Sequence, residues 1–109
     1  MYEYHIWGGY PIKGTITASG NKNAALPCIA ATLLTQEEVI LRNIPEIEDT
    51  GVMFSILKAL GATVEKFETH SWKVKVDKAP KTKIPAELSK KIRGSITFAG
   101  PLLARAGKV

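Results

Sequence analysis

The residues of this chain best suited to chemistry sit together in Ser19-Gly20-Asn21-Lys22-Asn23, immediately before an almost unbroken apolar run from Ala24 to Leu34. A helix that apolar has no structural use for a lysine and two amides at its start. Free backbone N–H groups and the positive end of the helix dipole, by contrast, make a helix start a natural anion site. Lys22 is therefore the candidate ligand-binding cation, with Asn23 beside it. A second group of the same kind, Lys90, Lys91 and Arg93, precedes another apolar segment, Gly94 to Ala106. Two such starts suggest a cavity toward which helix N-termini converge on an anionic substrate. A charge-assisted hydrogen bond contributes about 1.5–3 kcal/mol, so two or three would hold a phosphate or carboxylate. Helix-end charges exposed to water are the alternative, and the pattern alone leaves both open.

Other kinds of site find less support. The segment Gly20-Asn21-Lys22-Asn23 lacks the second glycine and the Lys-Ser/Thr pair of a nucleotide-binding P-loop, so no cofactor is expected by that route. His5 and His70 have no cysteine or carboxylate at ligand spacing, and no metal is expected. Ser19 and Ser95 lack the strand-turn-helix context of an activated nucleophile. Glu46, Glu48 and Asp49 cluster at a helix start, where acidic groups favour the dipole without doing chemistry. The single cysteine, Cys28, cannot form an internal disulfide and reads as a small buried filler of the first helix. Trp7 and Trp72 read as core or edge-strand aromatics.

The elements that must position these residues follow from periodicity and turn chemistry. Tyr2 to Trp7 alternates like a strand and is ended by Gly8, Gly9 and Pro11; Gly14 to Ser19 is a second, β-branched strand. Asn21 to Leu34 reads as a helix buried on nearly all sides, with Ser19 or Asn21 as its cap and Pro27 within its first turns. Glu38 to Leu41 is a strand and Asn43 to Pro45 a turn. Asp49 to Leu60 is an amphipathic helix with Val52, Met53, Ile56, Leu57 and Leu60 on one face and Gly61 as its left-handed stop. Thr63 to Phe67 and Trp72 to Val76 form a hairpin. A lysine- and proline-bearing stretch, read as a solvated connection, leads to a second helix over Gly94 to Ala106. A shift of seventy positions sets Asn23 against Arg93, Leu33 against Leu103 and Val39 against Val109, so the second helix begins a repeat of the first unit. The fold class is α/β (α+β), and a unit with its sheet incomplete is expected to continue beyond Val109.

Composition bounds the partners. The chain has 109 residues, 45% hydrophobic and 23% charged, ordinary values for a soluble globular protein of at most one domain. The opening MYEYHIWGGYPIKG lacks a basic region followed by an apolar run, so no secretory signal is read and a cytoplasmic location is expected. The net charge of +5 raises a second function class, a small basic module binding phosphorylated ligands or nucleic acid. Its lysines crowd into Lys73 to Lys91 without interleaved aromatics, however, which argues against a nucleic-acid partner. No membrane partner is expected either, because no stretch approaches the roughly 20 apolar residues of a span.

The segment Ser19 to Leu34, SGNKNAALPCIAATLL, resembles the SGxKNAALP signature of the UDP-N-acetylglucosamine enolpyruvyl transferases. Leu60 to Glu65 (LGATVE) and Ile92 to Gly107 (IRGSITFAGPLLARAG) resemble further family segments in the same order, so the resemblance covers nearly the whole chain. The shikimate-pathway enolpyruvyl transferases share the fold but carry a DKS-type motif that is absent here. The resemblance implies an inverted α/β barrel built from repeated βαβαββ units, of which this chain holds the first and the start of the second. It places residues 1–20 in the other, C-terminal globular domain and residues 21–109 in the first part of the N-terminal domain. It implies transfer of an enolpyruvyl group from phosphoenolpyruvate to the 3-hydroxyl of UDP-N-acetylglucosamine, with no cofactor. Lys22 and Asn23 match residues that engage phosphoenolpyruvate, and Arg93 matches one that binds the nucleotide sugar. The proton donor, a cysteine or an aspartate, would lie on a loop beyond Val109, so no catalytic residue is expected in this stretch and its isolated activity is expected to be nil.

Overall fold

The computed structural model covers residues 1–109. Helix α1 (Lys22–Ala31) runs into a 3₁₀ turn at Thr32–Leu34 and strand β1 (Val39–Leu41). Helix α2 (Glu48–Ala59) and the hairpin β2 (Thr63–Glu68) and β3 (Ser71–Lys75) follow. A short helix α3 (Ala86–Ser89), a 3₁₀ segment (Arg93–Phe98) and helix α4 (Ala99–Ala106) complete the order. The sheet is antiparallel in the order β1-β3-β2, with Val39 opposite Val74 and Val64 opposite Val74 on its two sides.

The helical period of α2 drives the core. Met53, Ile56, Leu57 and Leu60 are fully buried, each contributing roughly 1.5–3 kcal/mol by leaving water. Its start is set by Thr50, whose buried hydroxyl donates to Pro45 O at 2.7 Å and accepts the Ile47 N–H at 3.4 Å. Its end is set by Gly61, which takes a φ of 103° that residues with a Cβ rarely adopt. Ile29 and Leu33 from α1 and its 3₁₀ extension, Val74 and Val76 from the β3 end, and Phe98 and Leu102 from the last two elements complete one apolar cluster. Phe54 stacks on Trp72 at 4.2 Å between ring centroids, joining α2 to the central strand.

Arg105 of α4 ties this unit together. One guanidinium nitrogen donates to Leu33 O and Thr35 O, both at 2.9 Å, and the other to Val76 O and to Lys78 O at 3.2 Å. The end of the first helix and the exit from the hairpin are thereby held to the last helix.

Six expectations are corrected. Tyr2 to Trp7 and Gly14 to Ser19 form no strands: a strand needs a ladder partner, and neither stretch pairs with any part of the three-stranded sheet. Residues 1–19 are extended and exposed, and Trp7 at 78% exposure belongs to no core or sheet edge. Helix α1 buries only Ala25, Leu26, Ile29 and Ala30, which lie along one face, and leaves Ala24, Pro27, Cys28 and Ala31 open. Cys28 is consequently exposed, on the arc of α1 that the core does not cover. The lysine-rich connection is not free: Pro80 is buried, Ile84 and Leu88 pack on the core, and α3 forms within it behind Pro85. The second apolar helix is split, with 3₁₀ geometry to Phe98 and α-helix only from Ala99. Pro101 falls at the third position of α4, where its missing N–H interrupts no bond within that helix.

Candidate anion-binding site

Three element starts meet at one end of α1. Gly20 lies against the turn that follows β1, so closely that a Cβ there would stand 1.9 Å from Asn43 O. Asn43 itself takes a φ of 57°, a left-handed value that asparagine tolerates. Asn21 is the N-cap: its side chain accepts the Ala24 N–H at 3.1 Å, a local structural role. Lys22 is then the first helical residue, and its Nζ pairs with Oδ2 of Asp49 in the first turn of α2. Leu26, one turn further along the same face, is what packs against Gly94, where a Cβ would stand 2.7 Å from Leu26 Cδ1. Arg93, the neighbour of Gly94, is exposed at the first position of the 3₁₀ segment. Lys22 and Arg93 therefore occupy adjoining element starts. Asn23 is exposed beside Lys22, with no bond from its side chain. Lys90 and Lys91 are exposed at the end of α3.

The electrostatics are specific to this corner. A cation at a helix N-terminus sits in an unfavourable field, and an anion there in a favourable one. Lys22 is in the first position and Asp49 in the second, so each helix start holds one member of the pair, and Asp49 offsets the penalty on Lys22. The neighbouring acid Glu46 is engaged elsewhere. Lys66 Nζ at 2.6 Å and the backbone N–H of His70 at 3.0 Å hold its carboxyl below the usual carboxylate range. His70 in turn donates from Nδ1 to Ile44 O at 2.9 Å, which locks the hairpin turn onto the segment leading to α2.

A cavity of about 290 Å³ lies on the other flank of α1, lined among others by Gly20, Asn21, Ala24, Cys28, Arg42 and Asn43. Lys22, Asn23 and Arg93 do not line it: Lys22 and Asn23 are exposed at the start of α1 and Arg93 at the start of the 3₁₀ segment. Asp49 is the participant that sequence reasoning passed over. The acids at the start of α2 were visible, but no spacing relates positions 22 and 49. The available signal was physical: a lysine at a positive helix end needs an anion nearby.

The unit thus combines helices and an antiparallel sheet, with basic residues at the starts of α1 and of the 3₁₀ segment. The chain belongs to the family described as EPSP synthase (3-phosphoshikimate 1-carboxyvinyltransferase), which it matches over residues 6–109. Within that family it is similar to proteins named UDP-N-acetylglucosamine 1-carboxyvinyltransferase. It is 59% identical to the one from Treponema denticola over 108 residues, covering 99% of this chain and 25% of that protein. It is 50% identical to the one from Treponema pallidum, with the same shares covered, and 51% to that from Borreliella burgdorferi over 100% of this chain and 25% of that protein. The crystal structure of the enolpyruvyl transferase NikO from Streptomyces tendae superposes with a TM-score of 0.75 at 28% identity, over 92% of this chain and 23% of that one. The fold is thus that of part of an enolpyruvyl transferase, and the chain spans about a quarter of the length of the curated relatives it matches. No helix is long and apolar enough to cross a membrane.

Proposed function

We propose that this chain is the N-terminal part of a cytoplasmic enzyme that transfers the enolpyruvyl group of phosphoenolpyruvate to the 3-hydroxyl of UDP-N-acetylglucosamine, releasing phosphate, the first committed step of peptidoglycan precursor synthesis. The observation that carries this reading is the 59% identity, sustained over 108 residues, to a protein of that name. The shikimate-pathway reaction named in the family description is the less supported alternative, since the most similar relatives carry the UDP-N-acetylglucosamine name.

The reaction adds the sugar hydroxyl to C2 of phosphoenolpyruvate while a proton goes to its methylene carbon, giving a tetrahedral intermediate. Loss of that proton equivalent and of inorganic phosphate restores the double bond. Such a path requires an acid, a base and fixed cations around phosphate and carboxylate. Lys22, with Asn23 beside it, supplies cation and amide to phosphoenolpyruvate from the mouth of α1, and Arg93 supplies a guanidinium to the nucleotide sugar. Acid and base come from residues outside this stretch, so residues 1–109 alone have no transferase activity. Residues 1–20 belong to a second globular domain, whose sheet the exposed arm joins, and residues 21–109 to the first.

The test is phosphate release by the full-length protein with phosphoenolpyruvate and UDP-N-acetylglucosamine, and none with shikimate 3-phosphate in place of the sugar. Lys22→Ala should lower kcat/KM for phosphoenolpyruvate about ten- to a hundredfold, the worth of one charge-assisted hydrogen bond, at an unchanged melting temperature. Release of phosphate with shikimate 3-phosphate and not with the nucleotide sugar would overturn the reading.

A further inference from the structure

We propose that Asp49 is a positioning residue, the anchored counter-ion that holds the Lys22 ammonium at the mouth of α1 in the orientation that receives an anionic substrate. This rests on the reading of Lys22 as a phosphoenolpyruvate ligand and extends it to a residue on a different helix.

The two partners are unequal. The Asp49 side chain is 26% exposed and that of Lys22 51%, so the carboxylate is the sheltered member and the ammonium the reachable one. Asp49 is also the better anchored. It stands beside Thr50, which is buried and hydrogen-bonded to Pro45 O and Ile47 N, so the backbone carrying the carboxylate is fixed. The N-cap of α2 is Ile47, which offers no side-chain acceptor, and a carboxylate in the first turn is the charge that this helix end favours.

Lys22 is in the opposite situation. It sits at the positive end of α1 on a flexible four-carbon stem, and field and entropy alike favour swinging the ammonium outward into water. The bond to Asp49 opposes that swing. An ammonium has three donors, and one carboxylate oxygen engages only part of that capacity, leaving the exposed side for a phosphate or carboxylate oxygen. Asp49 also repels an incoming anion. That repulsion acts past the intervening lysine and through partly exposed space, where it is screened, so loss of orientation is the larger effect.

The consequence is a split in kinetics. Because Asp49 acts before chemistry, by presenting the lysine, its loss weakens ground-state binding more than turnover. In the full-length protein, Asp49→Asn should raise KM for phosphoenolpyruvate about tenfold while kcat stays within about threefold. Asp49→Glu keeps the charge and should recover part of the loss. Glu48→Gln removes an acid from the same helix end without touching Lys22, so it shares any dipole effect on stability but should leave KM unchanged. In the Lys22→Ala background, Asp49→Asn should add no further loss, since the group it positions is gone. Unchanged phosphoenolpyruvate kinetics in Lys22→Ala would remove the lysine from the site and this proposal with it. With Lys22→Ala impaired, three results overturn the role of Asp49 alone: Asp49→Asn leaving KM unaltered or lowered, Glu48→Gln matching it, or its full effect persisting without Lys22. Should Asp49→Asn fail to fold, Asp49→Glu decides: full loss of binding with no recovery in a folded protein counts against positioning by charge.

Discussion

At the scale of single residues, Arg105 shows how much one side chain can organise. Its four hydrogen bonds end on carbonyls of residues 33, 35, 76 and 78, at the end of the first helical segment and the exit from the hairpin. A guanidinium fits this arrangement because its donors fan out in one plane, which an ammonium cannot reproduce. Arg105→Ala should lower the stability of the chain by about 2–4 kcal/mol, and Arg105→Lys by nearly as much, read as a shift in the urea midpoint at constant m-value. A Lys variant as stable as the parent would show that charge alone, and not the fork, is what matters. The sequence marked Lys22, Asn23 and Arg93 through their type and their place before apolar runs, because a misplaced charge is visible in one dimension. It did not mark Asp49 or Arg105 as their partners or anchors. Those roles depend on which segments meet across separations of 27 residues for Asp49 and 27–72 for Arg105, and no local pattern encodes that.

At the scale of elements, two close approaches set where α1 can sit. Gly20 backs onto the carbonyl of Asn43, a rigid backbone atom, whereas Gly94 meets the far end of Leu26, a side chain that can change rotamer. The two glycines therefore differ in what replacement forces to move. Gly20→Ala should cost about 3 kcal/mol or more, because the start of α1 and the turn after β1 must separate. Gly94→Ala should cost about 1–2 kcal/mol, the range for a repacked core contact. Thermal unfolding of the two variants side by side checks the order, and equal losses would mean that the 43–45 turn yields as easily as a leucine. The same contrast explains what was legible. Helix α2 was readable to within a residue, since its burial follows its own period and Gly61 stops it. The burial of α1 was not, because a uniformly apolar and alanine-rich run carries no information about which arc finds a partner. The hairpin was readable from alternation, but the same kind of pattern also suggested strands before residue 20, which pair with no strand of this sheet.

At the scale of the whole molecule, the radius of gyration is 17.3 Å, against about 13 Å for a compact domain of this length. The excess comes from residues 1–19, which run outward with Tyr2, Tyr4, Ile6, Trp7, Tyr10, Ile12 and Ile16 all exposed. Such a row of apolar side chains on an extended arm is unfavourable in water and is stabilised only by a surface that covers it. If the arm joins the sheet of a second domain, its backbone is hydrogen-bonded and its aromatics are buried in the full-length protein, but both are bare in the 109-residue chain. Limited proteolysis separates the two states, because cleavage requires locally unfolded backbone. In the isolated chain, trypsin should cut first after Lys13 and chymotrypsin first after Tyr4 or Trp7, the bond after Tyr10 being blocked by Pro11. Mass spectrometry should find products beginning at Gly14 with trypsin and at His5 or Gly8 with chymotrypsin, with the rest of the chain intact at early times. The same bonds should survive at least about tenfold longer in the full-length protein. Equal cleavage in both forms would remove the arm from the second domain, and early cleavage elsewhere in the isolated chain would mean that the arm is already covered within these residues.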